Sequence, residues 1–259
     1  MSDAGSGAFS HALIVGAGPG LSASIARLFV SKGLTVSLAA RSPEKLSDLA
    51  KTLGAEAYGC DVADRGSVSA LFEALDASPA GAPDVVIHNP SARVRGPFVD
   101  LDPDAVERAV ATTALGAFHV AQEAARRMLP PGEGPGEGPG EEPGEGRGEG
   151  RGRGAILFTG ASASVKGYPQ SAAFAMGKFA QRGLAQSLAR ELHPRGVHIG
   201  HINIDGAIRS EARGRVDAPG EPDRFLDPDA IARTYWHILE QDRSAWAWEI
   251  DLRPWVERF

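Results

Sequence analysis

The feature that most constrains this chain is a regular alternation of short apolar runs with amphipathic stretches. Five runs rich in apolar and β-branched residues are nearly continuous, as in strands that are buried on both faces. They cover residues 11–17, 34–40, 84–89, 154–160 and 197–204. Because helical patterns lie between them, the sequence predicts five central strands of a parallel sheet with crossover helices.

The predicted helices complete this pattern. They cover residues 20–31, 43–53, 65–77, 103–128 and about 171–192, and a further helix at about 229–241 precedes a strand-like stretch at 246–252. Right-handed crossovers then give an α/β, doubly wound, three-layer fold in a single domain. Ligands of such folds bind beyond the carboxyl ends of the strands, so we expect the functional residues to follow strands.

One segment differs in composition from the rest. Residues 131–154 form a degenerate GEGP and GRGE repeat that contains no apolar side chain and holds 11 of the 32 glycines. Such a segment buries no apolar surface that would offset the entropy of ordering it. The sequence therefore predicts one domain over 1–259 with a disordered loop insertion at 131–154. We interpret it as a neutral expansion, with a partner-binding tail as the alternative.

Composition and charge exclude several classes of protein. The 42% apolar content of the 259 residues is ample for one core. A lone cysteine, Cys60, cannot form an internal disulfide or a cysteine-based zinc site. No run approaches the roughly 18 to 20 apolar residues of a membrane span, and the net charge of −6 gives no field that attracts nucleic acid. We expect a cytoplasmic protein whose partner is a small molecule, without nucleic-acid or membrane binding.

A glycine-rich turn follows the first predicted strand. Residues 16–22 read GAGPGLS and open a helix. Gly16, Gly18 and Gly20 allow a positive φ or a close approach of backbone to ligand, and the amides at the helix N-terminus attract anions. The pattern is not GxGxxG, because Leu21 occupies the last position. In this context the turn predicts a pyrophosphate site.

The end of the second predicted strand indicates which dinucleotide binds. An acidic residue there would bond to a free ribose 2′-hydroxyl, whereas a basic one accommodates a 2′-phosphate. The sequence has Arg41 and Ser42 at this point, which favours NADP(H) over NAD(H), although Arg41 as a merely solvated side chain is the alternative. Asp61, followed by Val62, is placed to meet the adenine amino group or to cap the next helix.

In this order and at these intervals, the residues resemble the short-chain dehydrogenase/reductase family over nearly the whole chain outside the insertion. Asn89 lies in HNPS at 88–91, where the family usually has NNAG, and a helix carries Lys178. The resemblance implies a nicotinamide-dependent oxidoreductase on a Rossmann-type sheet, with Asn89 and Lys178 among its cofactor-binding residues. It also implies a homodimer or homotetramer.

The catalytic positions depart from the family pattern. The family has a tyrosine separated by three residues from the lysine, and its phenol serves as general acid. Here Phe174 takes that place before Lys178, so the proton donor is missing. Ser162, 12 residues before Phe174, maps to the family's serine, and Thr113 stands where the family usually has an asparagine. Lys178 is still expected to reach the nicotinamide ribose.

Other groups are candidates to supply the proton. Tyr168 is the first of them, because it lies in the loop that lines the substrate cleft in this family; a rim aromatic is the alternative. Ser164 is a poor acid, and we expect His88 to bond to backbone. His198 and His201 lie three apart in one strand and point to opposite faces, so no metal site is expected.

Three hypotheses remain open from the sequence. The leading one is an NADP(H)-dependent oxidoreductase that acts on a small carbonyl, alcohol or activated alkene with atypical proton delivery. The second is a redox-silent NADP(H)-binding or regulatory protein. A lyase or isomerase without net hydride transfer is the third, and no residue specifically indicates it.

Overall fold

A seven-stranded, all-parallel sheet forms the centre of the computed structural model, which describes residues 9–130, 153–220 and 222–257. The strand order is β3-β2-β1-β4-β5-β6-β7. The strands are β1 His11–Val15, β2 Thr35–Ala40, β3 Glu56–Gly59, β4 Val85–His88, β5 Gly154–Thr159, β6 Val197–Ile204 and β7 Glu249–Leu252. The five predicted strands form its contiguous middle, and the short strands β3 and β7 lie at its edges.

Within the described ranges, seven α-helices connect and cover the strands. They are α1 Leu21–Ser31, α2 Ser47–Leu53, α3 Arg65–Asp76, α4 Pro103–Val110, α5 Gly116–Met128, α6 Ala172–Leu192 and α7 Pro228–Leu239. The predicted helix 43–53 is in two parts, because a 3-10 turn over Pro43–Leu46 precedes α2. The predicted helix 103–128 is interrupted by a π-helical turn over Ala111–Leu115. Such turns occur frequently at functional sites.

Alternate residues of each strand pack into two cores, one on each face of the sheet. From β1, Ile14 packs in the core that contains Phe29 of α1, whereas Leu13 packs in the core that contains Phe72 of α3. All four side chains are fully buried. Burial of both strand faces explains the continuous apolar runs, since each such side chain contributes roughly 1.5 to 3 kcal/mol.

The predicted loop insertion falls largely outside the described residues, which omit 131–152. Its last two residues belong to the folded domain. The Arg153 amide donates to the Met128 carbonyl at 3.1 Å, and Gly154 is the first residue of β5. Pairing with the sheet begins at Gly154, which the predicted strand 154–160 also included, so the strand takes this residue from the end of the predicted insertion.

The strand order places the ligand crevice. Chain connections reverse direction between β1 and β4, and open α/β sheets bind ligands beyond the carboxyl ends of strands at such a point. Among the described residues, none of the helices combines the length and apolar character that crossing a bilayer requires. A cavity of about 390 Å³ beside His193 and Trp246 lies at the other edge, next to the start of β6, and is not part of this crevice.

Candidate active site

The turn after β1 is tied to its neighbours through Gly16. The amides of Gly16 and Ala17 donate to the Ala39 carbonyl of β2 at 2.8 and 3.0 Å. Gly16 has a φ of +76°, and a Cβ there would lie 2.7 Å from the Pro90 nitrogen. Only glycine meets both conditions without strain. The turn is therefore fixed against β2 and against the loop after β4.

Open space lies above the rest of this turn. A Cβ at Gly18 or at Gly20 would have no heavy atom within 4 Å. Helix α1 begins next, at Leu21, without an acidic residue in its first turn. Its first amides have no acceptor within the helix, and the helix dipole favours a negative charge there. The turn thus forms a cradle that fits a pyrophosphate and that added side chains would fill.

Asn89 supports the glycine turn. Its Nδ2 donates to the Gly16 carbonyl at 3.2 Å and to Ser22 Oγ at 2.9 Å, and Ser22 Oγ donates to the same carbonyl at 3.2 Å. The serine at position 22, where a glycine would be usual, therefore completes a small network beside the turn. In this structure Asn89 holds the predicted cofactor loop in shape.

Two polar side chains are available at the end of β2. Arg41 is exposed, and its guanidinium has no hydrogen bond or ion pair with the described part of the chain. Ser42 beside it is half-buried. Because the Ala39 carbonyl binds the glycine turn, both residues lie within a few positions of that turn. Their assignment to a 2′-phosphate stays a prediction that this placement fits.

The structure separates the two roles considered for Asp61. The N-cap of α3 is Asp64, whose Oδ1 accepts from the Gly66 amide at 2.8 Å, so the prediction that Asp61 caps this helix was wrong. Asp61 instead accepts from the Ala63 amide at 3.0 Å within a turn and remains exposed. Val62 is buried against Gly116, where a Cβ would lie 2.6 Å from Val62 Cγ2, so its side chain belongs to the core.

Lys178 lies inside the site with only 2% of its surface exposed. Its Nζ donates to the Thr159 carbonyl at the end of β5, at 2.6 Å, and to Gln181 Oε1 at 2.8 Å. Burial, together with the positive charge of Arg93, lowers the pKa of Lys178 to about 7. Near pH 7, Lys178 is therefore neutral in a substantial fraction of the molecules, unlike an ordinary lysine.

Phe174 lies one helical turn before Lys178 and is buried. The Arg93 guanidinium carbon lies 4.0 Å from the centroid of the Phe174 ring, in cation–π geometry. The ring therefore has an arginine against it and no group that can donate a proton. Tyr168, in the loop before α6, is 48% exposed, and its role as replacement donor stays a prediction.

Ser162 follows β5 and is oriented by Asp205. Its hydroxyl donates to the Asp205 carboxylate, which also lies 2.9 Å from Lys166 Nζ and 3.6 Å from Arg253. Burial alone would raise the pKa of Asp205, but the bonds from Ser162 and Lys166 and the Arg253 charge hold it below its usual value. Asp205 follows β6 directly, at the carboxyl end of that strand. Lys166 and Arg253 carry no motif and were missed.

His88 is not bonded as predicted. Within the described residues neither of its ring nitrogens has a hydrogen-bond partner, so the expectation of a bond to backbone was wrong. The ring is fully buried and packs beside Phe158, with 6.2 Å between the ring centroids. Burial and the Lys178 charge lower the pKa of His88 to about 3, which keeps it neutral. The hydroxyl of Ser164 has a structural partner, because its Oγ accepts a hydrogen bond from the Ala161 amide at 3.1 Å.

Thr113, at the family's asparagine position, lies in the π-helical turn between α4 and α5. Its Oγ1 accepts from the Ala92 amide at 3.0 Å. It therefore fixes the backbone next to Arg93 and packs against Gly177 of α6, where a Cβ would lie 2.8 Å from Thr113 Cβ. Both of the changed catalytic positions contact the segment that carries Arg93.

A sequence profile described as short chain dehydrogenase matches residues 10–218. The chain belongs to the short-chain dehydrogenase family. The D-threitol dehydrogenase of Mycolicibacterium smegmatis is 27% identical over 238 residues, which are 85% of this chain and 82% of that protein. The family of this oxidoreductase and its Rossmann-type fold are thus as predicted.

This short-chain dehydrogenase is similar to two further proteins over most of its length. The cyclic-di-GMP-binding biofilm dispersal mediator protein of Escherichia coli is 32% identical over 205 residues, 77% of this chain and 73% of that protein. The chain also superposes on the crystal structure of BdcA in complex with NADPH with a TM-score of 0.72. The two sequences are 25% identical, and the alignment covers 95% of each chain. These names and ligands describe those proteins.

Proposed function

We propose that this protein is an NADP(H)-dependent oxidoreductase that acts on a small carbonyl, alcohol or activated alkene and moves the proton without the family's phenol. One observation carries the proposal: an open glycine cradle and an exposed Arg41, which has no partner among the described residues, occur together with a phenylalanine at position 174. The NADPH complex of the similar BdcA structure supports the choice of cofactor.

Different residues of the chain bind different parts of the cofactor. Gly16, Gly18, Gly20 and Leu21 present the turn and the helix N-terminus to the pyrophosphate. Arg41, with Ser42, binds the 2′-phosphate through its charged fork. Asp61 and the Val62 backbone face the adenine, and Asn89 keeps the turn in shape. When bound, NADP(H) supplies or accepts the hydride.

The substrate side keeps orientation but lacks an obvious acid. Ser162, oriented by Asp205, positions the substrate oxygen, and Lys178 is the residue that would bind the nicotinamide ribose. General acid catalysis typically contributes about 10² to 10⁴ in rate. Without the phenol, and with Tyr168 as the remaining donor, carbonyl reduction is expected to be slow.

The second candidate is a redox-silent NADP(H)-binding or regulatory protein. Phe174 favours it, as does the similarity to a relative that is named for cyclic-di-GMP binding. The two candidates differ in one readout, because both bind NADPH but only the first oxidises it. A panel of an aldehyde, a ketone and an enone that leaves NADPH intact would favour the silent protein.

We further propose a homodimer or homotetramer that is built through α5 and α6. Four large apolar side chains of the π turn and these helices are between 44% and 55% exposed: Leu115, Phe118, Met176 and Phe179. Apolar patches of this kind mark interaction surfaces, and closed homo-oligomers are the common outcome. A cytoplasmic location also remains part of the proposal, supported by the single, buried Cys60 thiol.

Titration of NADPH and NADH fluorescence with Arg41→Ala tests the cofactor assignment. Loss of a charge-assisted contact to the 2′-phosphate costs roughly 1.5 to 3 kcal/mol, so NADPH binding should weaken about tenfold or more while NADH binding changes little. Lys51→Ala on α2 removes the same charge from another exposed position and serves as control. Equal losses for the two coenzymes would refute the 2′-phosphate assignment.

A further inference from the structure

Four arginines gather around the substrate side of the crevice in a chain whose net charge is −6. Arg93 and Arg95 follow β4, and Arg213 and Arg215 lie in the loop after β6. Both pairs therefore lie at the carboxyl edge of the parallel sheet, and the charges of Arg215, Arg213 and Arg95 add to burial in lowering the pKa of Arg93. In the described ranges none of the four has a carboxylate partner.

Arg93 is held in place from two sides. The Phe174 ring supports its guanidinium at 4.0 Å, and Thr113 Oγ1 accepts from the amide of the preceding residue, Ala92, at 3.0 Å. The two positions that depart from the family's catalytic pattern are therefore the two that position Arg93. This coincidence gives both substitutions a common physical role.

The arginines of the opposite loop are also on an ordered turn. Ser210 and Arg215 exchange two backbone hydrogen bonds, at 3.0 and 2.9 Å, around Gly214 in the left-handed conformation. Arg209 of the same loop is already neutralised by Asp217 at 2.9 Å. The turn thus pairs Arg209 internally, whereas Arg213 and Arg215 have no carboxylate partner in the part of the chain that the structure describes.

We infer that Arg93, Arg95, Arg213 and Arg215, defined here as the arginine cluster, bind an anionic group of the substrate, a carboxylate or a phosphate. Guanidinium forks match both anions in bidentate geometry, and an anion relieves the repulsion among unpaired cations. The substrate class is then an anionic carbonyl or hydroxy compound. This assignment rests on the proposed function for its chemistry, but the anion site can be measured without turnover.

The test compares two probes that share a four-carbon skeleton and differ in charge. Calorimetry with tartrate and with threitol, in the absence and presence of NADP⁺, should show tartrate binding at least about tenfold more tightly. Inorganic phosphate as a third probe distinguishes the two anions: competition with tartrate indicates that the cluster accepts phosphate, whereas no competition indicates carboxylate selectivity. Equal binding of tartrate and threitol would overturn the inference.

Variants assign the effect to the cluster. Arg93→Ala and Arg215→Ala should each weaken tartrate about tenfold or more, and Phe174→Leu should weaken it by a smaller factor because the ring support is lost. Arg190→Ala is the matched control, since it lies 16 residues, or about 24 Å of helix, beyond Phe174. Unchanged tartrate affinity in Arg93→Ala, with an unchanged melting temperature, would refute the assignment.

The same samples separate this inference from the proposed function. A protein that binds NADPH but does not distinguish tartrate from threitol keeps the proposed function and loses the arginine cluster as an anion site. A protein that binds tartrate through Arg93 but neither coenzyme keeps the anion site and loses the oxidoreductase. Each result therefore decides one of the two claims.

Discussion

The glycine turn after β1 and the helix face around Phe174 lie at the same edge of the sheet but are built differently. In the turn, backbone amides and carbonyls make the contacts, and Gly16 is demanded by both φ and the neighbouring Pro90. Around Phe174, side chains determine the chemistry, and a phenyl ring fills the space of a phenol. A binding site that is formed by backbone atoms is retained as long as the fold is retained. A proton donor, in contrast, is lost when one side-chain atom is lost.

The difference also appears in the charges. The turn presents amide dipoles to the proposed ligand, and Arg41 is the basic side chain nearest to it in sequence. The other region holds a lysine whose pKa burial and Arg93 lower to about 7, and a histidine that stays neutral. The aromatic ring at position 174 thus lies near ionisable groups, and Arg93 is its cation–π partner.

The largest expected effect breaks the turn itself. Gly16→Ala places a Cβ at a residue with positive φ and 2.7 Å from the Pro90 nitrogen. It should lower the free energy of unfolding by about 2 to 5 kcal/mol and abolish measurable NADPH binding. Gly18→Ala has open space around its Cβ, so stability should change by less than about 0.5 kcal/mol while NADPH affinity falls about tenfold or more. Urea unfolding and fluorescence titration measure both. An unaltered affinity in Gly18→Ala would contradict the cradle.

The next effect restores the missing atom in the other region. Phe174→Tyr should raise NADPH-dependent reduction of an accepted carbonyl by about tenfold to a hundredfold, because a phenol returns beside Lys178. NADPH affinity should stay the same. Phe179→Tyr makes the same chemical change on an exposed position of α6 and should have no effect. A rate that does not respond to Phe174→Tyr would show that the absent hydroxyl does not limit reduction.

The smallest effect concerns the pH dependence of stability. The pKa of Lys178 is about 7 in the folded chain against 10.5 ordinarily, so between these values the unfolded chain binds more protons. The unfolding free energy of the wild type should therefore rise with pH across this window, by at most about 1.4 kcal/mol per pH unit. Lys178→Met lacks the ionisable group that causes this pH dependence. The stability of this variant relative to the wild type should therefore be highest near pH 6.5 and decline toward pH 9.5.

Urea unfolding at several pH values measures this difference, and Lys51→Met is the control for loss of an exposed lysine. A Lys178→Met difference that is constant with pH would mean that the lysine remains charged in the folded protein.

The strand pattern and the glycine turn were predictable because each follows from local periodicity. The five apolar runs became the middle of the sheet, while β3, with its partly exposed Glu56–Gly59, gave too weak a signal to be placed with them. The π-helical turn at Thr113 was not predictable, since a helix-period pattern does not reveal one inserted residue.

Contacts between distant segments could not be read from the sequence. The hydrogen bond from Ser162 to Asp205 connects the ends of β5 and β6. The residues of the arginine cluster come from the loops after β4 and β6. His88 shows the same limit, because its isolation depends on packing around the ring and not on its neighbours in sequence. These features arise when the sheet brings strand ends together.

Calorimetric titration of NADPH and NADH into the wild-type protein tests the central contrast most directly. An intact cofactor region predicts saturable heat with NADPH at one site per chain and at least about tenfold weaker binding of NADH. Absence of heat with either coenzyme would contradict the account, because the glycine cradle and Arg41 would then bind no dinucleotide.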